Sequence, residues 1–163
     1  MDQIPTIQAK HLTLALVVDG DRVLLGMKKR GFGQGYWNGF GGKLEDGEDI
    51  DKAMLRELHE ECGVSAIDYH ECGILCFTFE GGNEELYVHV FRITGFAGEP
   101  NETEEMRPQW FSPEAIPFRE MWPDDEYWFP LFFENKKFTG AFHFSHDHKI
   151  LSRRLKVVDS LTQ

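Results

Sequence analysis

Between residues 31 and 43 the chain reads GFGQGYWNGFGGK, with six glycines, and a few residues later it takes up a helical pattern. That junction limits the fold more than any other feature. So many glycines in so short a stretch cannot sustain a regular element, because each carries a large backbone-entropy cost. The segment therefore reads as a loop, broken by a short strand near Tyr36–Phe40. Ile50, Ala53, Met54 and Leu58 then recur at helical spacing, Asp49 and Asp51 suit the N-terminus, and Gly63 suits the C-cap. A helix over 49–62 must follow almost directly on the glycine-rich loop.

The flanking sequence supplies the sheet. Residues 11–18 (HLTLALVV) and 22–28 (RVLLGMK) are β-rich runs joined by a turn at Asp19-Gly20-Asp21. Runs near 66–79 and 85–96 flank Gly81-Gly82-Asn83, and a short strand includes Gln109–Phe111. Pro123-Asp124-Asp125 opens a second helix reaching about Asn135, followed by strands near 138–144 and 150–158. The expectation is an α/β domain with two main helices packed on a mixed sheet. One domain is expected over 1–163, with its core at about 8–159.

The first helix carries Glu57, Glu60 and Glu61. At about 100° per residue, Glu57 shares a face with both of the others. Carboxylates crowded on one turn repel one another, and a hard divalent cation relieves that repulsion. A solvated acidic face is the bland alternative for such a cluster. The surroundings favour the metal. Glu48 and Arg56 bracket the helix start, so Arg56 can orient carboxylates. Gly41 and Gly42 come just before, where a backbone carbonyl can approach an ion without a side chain interfering.

Net charge is −11, which disfavours a nucleic-acid polymer as partner while leaving room for a small anion held by metal and local cations. The three cysteines, Cys62, Cys72 and Cys76, resemble no disulfide framework and point to a reducing compartment. Neither a signal peptide nor a membrane span is expected from the apolar runs.

From Gly42 the string GKLEDGEDIDKAMLRELHEECGV fits G-x5-E-x7-R-E-U-x-E-E-x-G-U, with Gly42, Glu48, Arg56, Glu57, Leu58, Glu60, Glu61, Gly63 and Val64 in place. It resembles the Nudix box at every defined position. The resemblance implies a Nudix-type α/β/α sandwich and hydrolysis of a phosphoanhydride in a nucleoside diphosphate derivative. It also implies that Glu57, Glu60 and Glu61 bind Mg²⁺ (Mn²⁺ can substitute), with the Gly41 carbonyl as a further ligand and an acidic residue as base. Gly42, Glu48, Arg56 and Gly63 would be structural.

Outside the box, VLLGMKKRGFG (23–33), WNGFGGK (37–43), EMRPQWF (105–111) and MWPDDEYWFPL (121–131) are similar to the animal MutT-homologue family. That likeness implies hydrolysis of oxidised purine nucleoside triphosphates, of the 8-oxo-dGTP, 8-oxo-dATP and 2-oxo-dATP type, to monophosphate and pyrophosphate. Such an enzyme sanitises the nucleotide pool as a cytoplasmic monomer, with the nucleus or mitochondrion as further locations. Glu105 would be an additional metal-site acid. Asn38 would bond the base, and Thr13, Lys28, Phe40, Gly41, Gly42, Lys43 and Pro123 would complete the substrate site. Leu86 departs from the family's methionine at this place.

Trp122, Trp128 and Phe32 offer flat apolar surfaces for a purine, although aromatics at these spacings are equally at home in a core. Asp124 and Asp125 lie among them. Burial and mutual repulsion would raise one carboxyl's pKa, so a neutral donor and an ionised acceptor could together read a purine edge. Which of the two holds the proton is left open, and a helix N-cap is the alternative role. Two other functions remain in view: a Nudix hydrolase of dinucleotide or nucleotide-sugar diphosphates, and a catalytically inactive Nudix binding module. Gly39-Phe-Gly-Gly-Lys43 lacks the Ser/Thr of a P-loop, Cys72-x3-Cys76 lacks a second ligand pair for zinc, and His143, His146 and His148 read as exposed strand and turn.

Overall fold

The computed structural model describes residues 6–161. In chain order the elements are β1 (Gln8–Asp19), β2 (Arg22–Lys28), β3 (Trp37–Asn38), α1 (Ile50–Cys62), β4 (Ser65–Phe79) and β5 (Glu84–Ala97). They continue with β6 (Met106–Phe111), two short 3-10 turns, α2 (Asp125–Phe133), β7 (Lys137–Phe144) and β8 (Ile150–Val158). The strands form one mixed sheet in the order β3-β2-β1-β5-β4-β7-β8, with β6 on β2. The β1–β5 and β4–β7 pairs are parallel and the others antiparallel.

Successive residues of a strand point to opposite faces, and both faces of this sheet are covered. Ala15 and Val17 on β1, with Phe91 and Ile93 on β5, pack against Met54, Leu58 and Cys62 of α1. Leu16, Val88 and Val90 face Trp128, Phe129 and Phe132 of α2. The expected α/β/α sandwich is the observed one.

Three differences from the expected elements have local causes. β1 begins at Gln8 rather than residue 11, because Gln8, Ala9 and Lys10 find register partners on β5 despite their exposure. β6 runs back to Met106 through Pro108, which breaks the sequence signal of a strand. Since β6 lies against β2 alone, Pro108 can occupy an edge where no ladder donor is required. The strand within the glycine-rich loop shrinks to Trp37–Asn38, while Phe40 makes an isolated bridge to Ala15.

Candidate active site

The glycine-rich loop and α1 are fastened together at the acidic turn. Asp49 caps α1 by accepting from Lys52 N–H at 2.8 Å, and Gly63 closes it with φ 79°. Arg56 lies at the centre of the charged network. Its Nε and Nη2 meet the two oxygens of Glu48 at 2.7 and 2.9 Å, a bidentate pair. Nη1 donates to Glu57 at 2.9 Å and to Glu60 at 3.3 Å, and Nη2 reaches the Lys43 carbonyl at 3.3 Å. The guanidinium holds Glu48 down to about 2.

Glu61 behaves differently from its neighbours. It is 3% exposed and accepts the Gly41 N–H at 2.8 Å. Burial pushes its carboxyl up to about 8, with the charges of Glu57 and Glu105 acting in the same sense and Lys28 opposing them. Glu57 is also raised, mainly by burial. Both glycines are required by contact. A Cβ on Gly41 would lie 1.7 Å from the Thr13 carbonyl oxygen, and one on Gly42 would lie 2.7 Å from Glu57 Oε1. The Gly42 carbonyl accepts from Thr13 N–H at 2.9 Å, a bond that leaves the Gly41 carbonyl out.

Among the described residues no three carboxylate, thiol or imidazole side chains converge closely enough to enclose a metal by themselves. A hard divalent cation takes carboxylate and carbonyl oxygens and fills its shell with water and substrate phosphate. The donor set fits: crowded carboxylates whose proton affinity is raised by burial and by one another are stabilised by an added cation.

A cleft of about 360 Å³ opens beside this turn. It is lined by Thr13, Lys28, Phe32, Asn38, Gly41, Gly42, Lys43, Glu61, Trp122, Asp124, Asp125 and Trp128, among others. Asp124 and Asp125 are 3% and 2% exposed. Asp124 makes no side-chain capping bond; its Oδ2 accepts from the Trp128 indole N–H at 2.8 Å instead. Burial raises Asp124 to about 6. Asp125 is also raised, by burial first and then by the adjacent Asp124 charge, while the Trp128 indole lowers both carboxyls. Asp125 Oδ2 and Thr13 Oγ1 are buried without a hydrogen-bond partner among the described residues. Such orphaned atoms are costly unless a ligand satisfies them. Asn38 Oδ1 accepts from Gly39 N–H at 2.9 Å, and the residue lines the cleft.

Phe40 and Pro123 do not join this lining. Phe40 is fully buried on the α1 side with Met54 and Leu58, because its backbone pairs with Ala15 and its ring fills the space over Gly26. Pro123 stays half-buried at the entrance to α2. Trp128 is fully buried, so its contribution is the indole donor and not an open stacking plane. Phe32 and Trp122 supply the open aromatic rim, with ring centroids 5.2 Å apart. Glu105 lies close enough to raise Glu57 and Glu61 and is 3.6 Å from Arg30.

The cleft also contains Leu12, Leu14, Tyr36, Phe77, Phe79, Leu86, Val88, Met106 and Phe144. Of these only Leu86 was singled out in the sequence. The alternation of Phe77/Phe79 and Leu86/Val88 marks a buried face, but a pattern of burial does not distinguish a cavity wall from solid core.

The NUDIX domain pattern matches residues 10–132. This chain belongs to the NUDIX domain family. It is 53% identical over 148 residues to the mouse oxidized purine nucleoside triphosphate hydrolase, covering 91% of this chain and 95% of that protein. The zebrafish protein of the same name is 51% identical, covering 94% of this chain and 98% of that one. Among solved structures, a MutT protein from Bacillus halodurans superposes with a TM-score of 0.81 at 30% identity, over 90% of this chain and 97% of its own. In this family member the box residues are those that converge on Arg56 and the glycine loop.

Proposed function

We propose that this chain hydrolyses oxidised purine nucleoside triphosphates, with Mg²⁺, to the monophosphate and pyrophosphate. The observation that carries the reading is the pair Asp124 and Asp125: two buried carboxyls with an unmatched oxygen, opening into the same cleft as the acidic turn of α1. A purine whose edge offers both donors and acceptors would satisfy them, with the Asn38 NH₂ group as a third partner. Phe32 and Trp122 provide apolar surface for the ring. The mouse and zebrafish relatives support the same substrate class.

At the phosphate end, Glu57, Glu60 and Glu61, with the Gly41 carbonyl and Glu105, would hold the cation. Bound there, it neutralises phosphate charge and makes a water more acidic. Arg56 and Glu48 keep the acidic turn in register with the loop, and Lys28 and Lys43 add positive charge along the cleft. A carboxylate of the acidic set takes the proton of the attacking water. The water oxygen bonds to phosphorus as the α–β anhydride breaks and pyrophosphate leaves.

No helix is long and apolar enough to cross a membrane among the described residues. We further propose a single-domain monomer acting in a reducing compartment such as the cytoplasm, a reading supported by three free cysteines, and checked by sedimentation and by imaging of the tagged chain. The activity itself is tested with a panel of nucleotides and Mg²⁺, the products separated by ion exchange. Release of pyrophosphate from 8-oxo-dGTP or 2-oxo-dATP far above that from dGTP is expected. Preference for a dinucleotide or nucleotide sugar, or no turnover, would overturn it.

A further inference from the structure

The turn between β7 and β8 holds a non-glycine residue in the left-handed region, His148 at φ 63°. Such a conformation is uncommon for a non-glycine residue, although His, like Asn and Asp, adopts it more readily than most. Here the turn is tied on three sides. His148 N–H donates to the Ser145 carbonyl at 3.0 Å, Lys149 N–H to Ser145 Oγ at 3.0 Å, and Ser145 N–H to the Lys149 carbonyl at 2.8 Å. The three C-terminal histidines do not act together. His143 bonds Thr78, and His146, 76% exposed, pairs with Glu80 as an ordinary turn residue.

His148 instead turns its ring inward. Its centroid is 4.6 Å from Trp122, 5.9 Å from Phe32 and 6.2 Å from Phe79. All three of those aromatics line the cleft, so the imidazole packs against residues of its wall. Phe32 is 69% exposed and Trp122 only half-buried, and each comes from a connection outside strand and helix. Tyr36 and Phe144 also touch the Trp122 indole, with ring centroids at 5.4 and 6.0 Å, and His148 makes the shortest of these ring contacts.

We propose that His148 is a positioning residue for substrate specificity: it clamps the Trp122–Phe32 wall in the orientation that receives a purine ring. The inference rests on the reading of this cleft as a purine site. The turn delivers an aromatic ring against Trp122. Since the rings that His148 touches belong to the aromatic wall, the effect falls on nucleotide binding and not on the chemical step.

The test is steady-state kinetics with 8-oxo-dGTP and Mg²⁺, alongside thermal melts. His148→Asn keeps a residue that tolerates the left-handed backbone and removes the ring; His148→Phe restores an aromatic face. A ring contact of this kind corresponds to a KM increase of roughly 3- to 10-fold for His148→Asn. Its kcat should stay within about twofold and its Tm within about 4 °C of wild type. His148→Phe should recover most of the KM, and His148→Asn should add nothing in a Trp122→Leu background. An unchanged KM in His148→Asn, a fall confined to kcat, or an equal increase in the Trp122→Leu background would overturn the proposal. A wild-type enzyme that neither binds nor hydrolyses purine triphosphates would overturn the purine site first, and this role with it.

Discussion

The molecule holds two groups of crowded carboxyls, one on α1 and one at the start of α2, and they are kept in opposite ways. On α1 the acids are tied to a cation of the protein's own: Arg56 bonds Glu48, Glu57 and Glu60 at 2.7–3.3 Å. At α2 no basic side chain pairs with Asp124 or Asp125 among the described residues; the partner is a neutral indole. The first arrangement pairs three acids with a guanidinium, while Glu61 accepts the Gly41 N–H and burial holds its carboxyl up at about 8. The second has no cation beside it, and burial raises both carboxyls, which suits the proposed matching of a base edge. Charge is useful where charge is transferred, and a neutral donor where shape and hydrogen bonding are read.

The largest expected effect breaks the α1 side alone. Glu61→Gln keeps an oxygen to accept the Gly41 N–H and so preserves the fold, but it loses the charge that the metal requires. Turnover should fall by at least roughly a hundredfold, about 2.7 kcal/mol in the barrier, with a near-native Tm. Near-normal turnover at saturating Mg²⁺ would remove Glu61 from the proposed chemistry.

Arg56→Ala should act through both position and stability. Loss of hydrogen bonds to several carboxylates costs about 2 kcal/mol, or about 4–8 °C in Tm for a chain of this size. Activity should fall about tenfold as the acidic turn loses its orientation. A native melting temperature with only weakened substrate affinity would mean that Arg56 contacts substrate.

These contrasts explain how far the sequence could be read. The acidic turn was legible because a helix converts spacing into geometry: Glu57, Glu60 and Glu61 must share a region of one surface, and Arg56 falls beside them. The sandwich was legible for a similar reason, since strand alternation and helical periodicity assign faces. The base slot was only partly so. Asp124 and Asp125 stood out, but that Trp128 is a buried donor, that Phe40 faces α1, and that Leu12, Leu14 and Met106 line the cleft all depend on how distant strands meet. Pro108 concealed half of β6, because its tolerance at an edge is a property of the assembled sheet. His148 looked like any turn residue until its ring was placed against Trp122.

A smaller effect appears in the pH dependence of stability, measured with metal chelated. Asp124 sits at about 6 against an ordinary 3.8, so the folded protein binds that proton more tightly than the unfolded chain. The stability this provides is fully present below about pH 4 and is lost as pH rises through about 6. Glu61, at about 8, acts in the same sense at higher pH, whereas Glu48, held at about 2, opposes both by losing stability as pH falls below its unfolded value. Wild-type Tm should therefore decline between pH 4.5 and 7, and Asp124→Asn should show a shallower decline. Identical slopes would mean that Asp124 is ionised in both states.

The separation of base reading from chemistry is tested most directly by calorimetric titration of 8-oxo-dGMP, the expected product, into wild type, Glu61→Gln and Asp124→Asn without metal. The monophosphate retains the base and lacks the pyrophosphate, so its affinity reports the α2 side. A buried partner left unmatched costs roughly 1–3 kcal/mol, so Asp124→Asn should weaken binding by about 5- to 150-fold. Glu61→Gln should bind within about threefold of wild type. If Glu61→Gln loses the monophosphate while Asp124→Asn holds it at wild-type affinity, the base is read at the acidic turn and the division drawn between the two carboxyl groups is wrong.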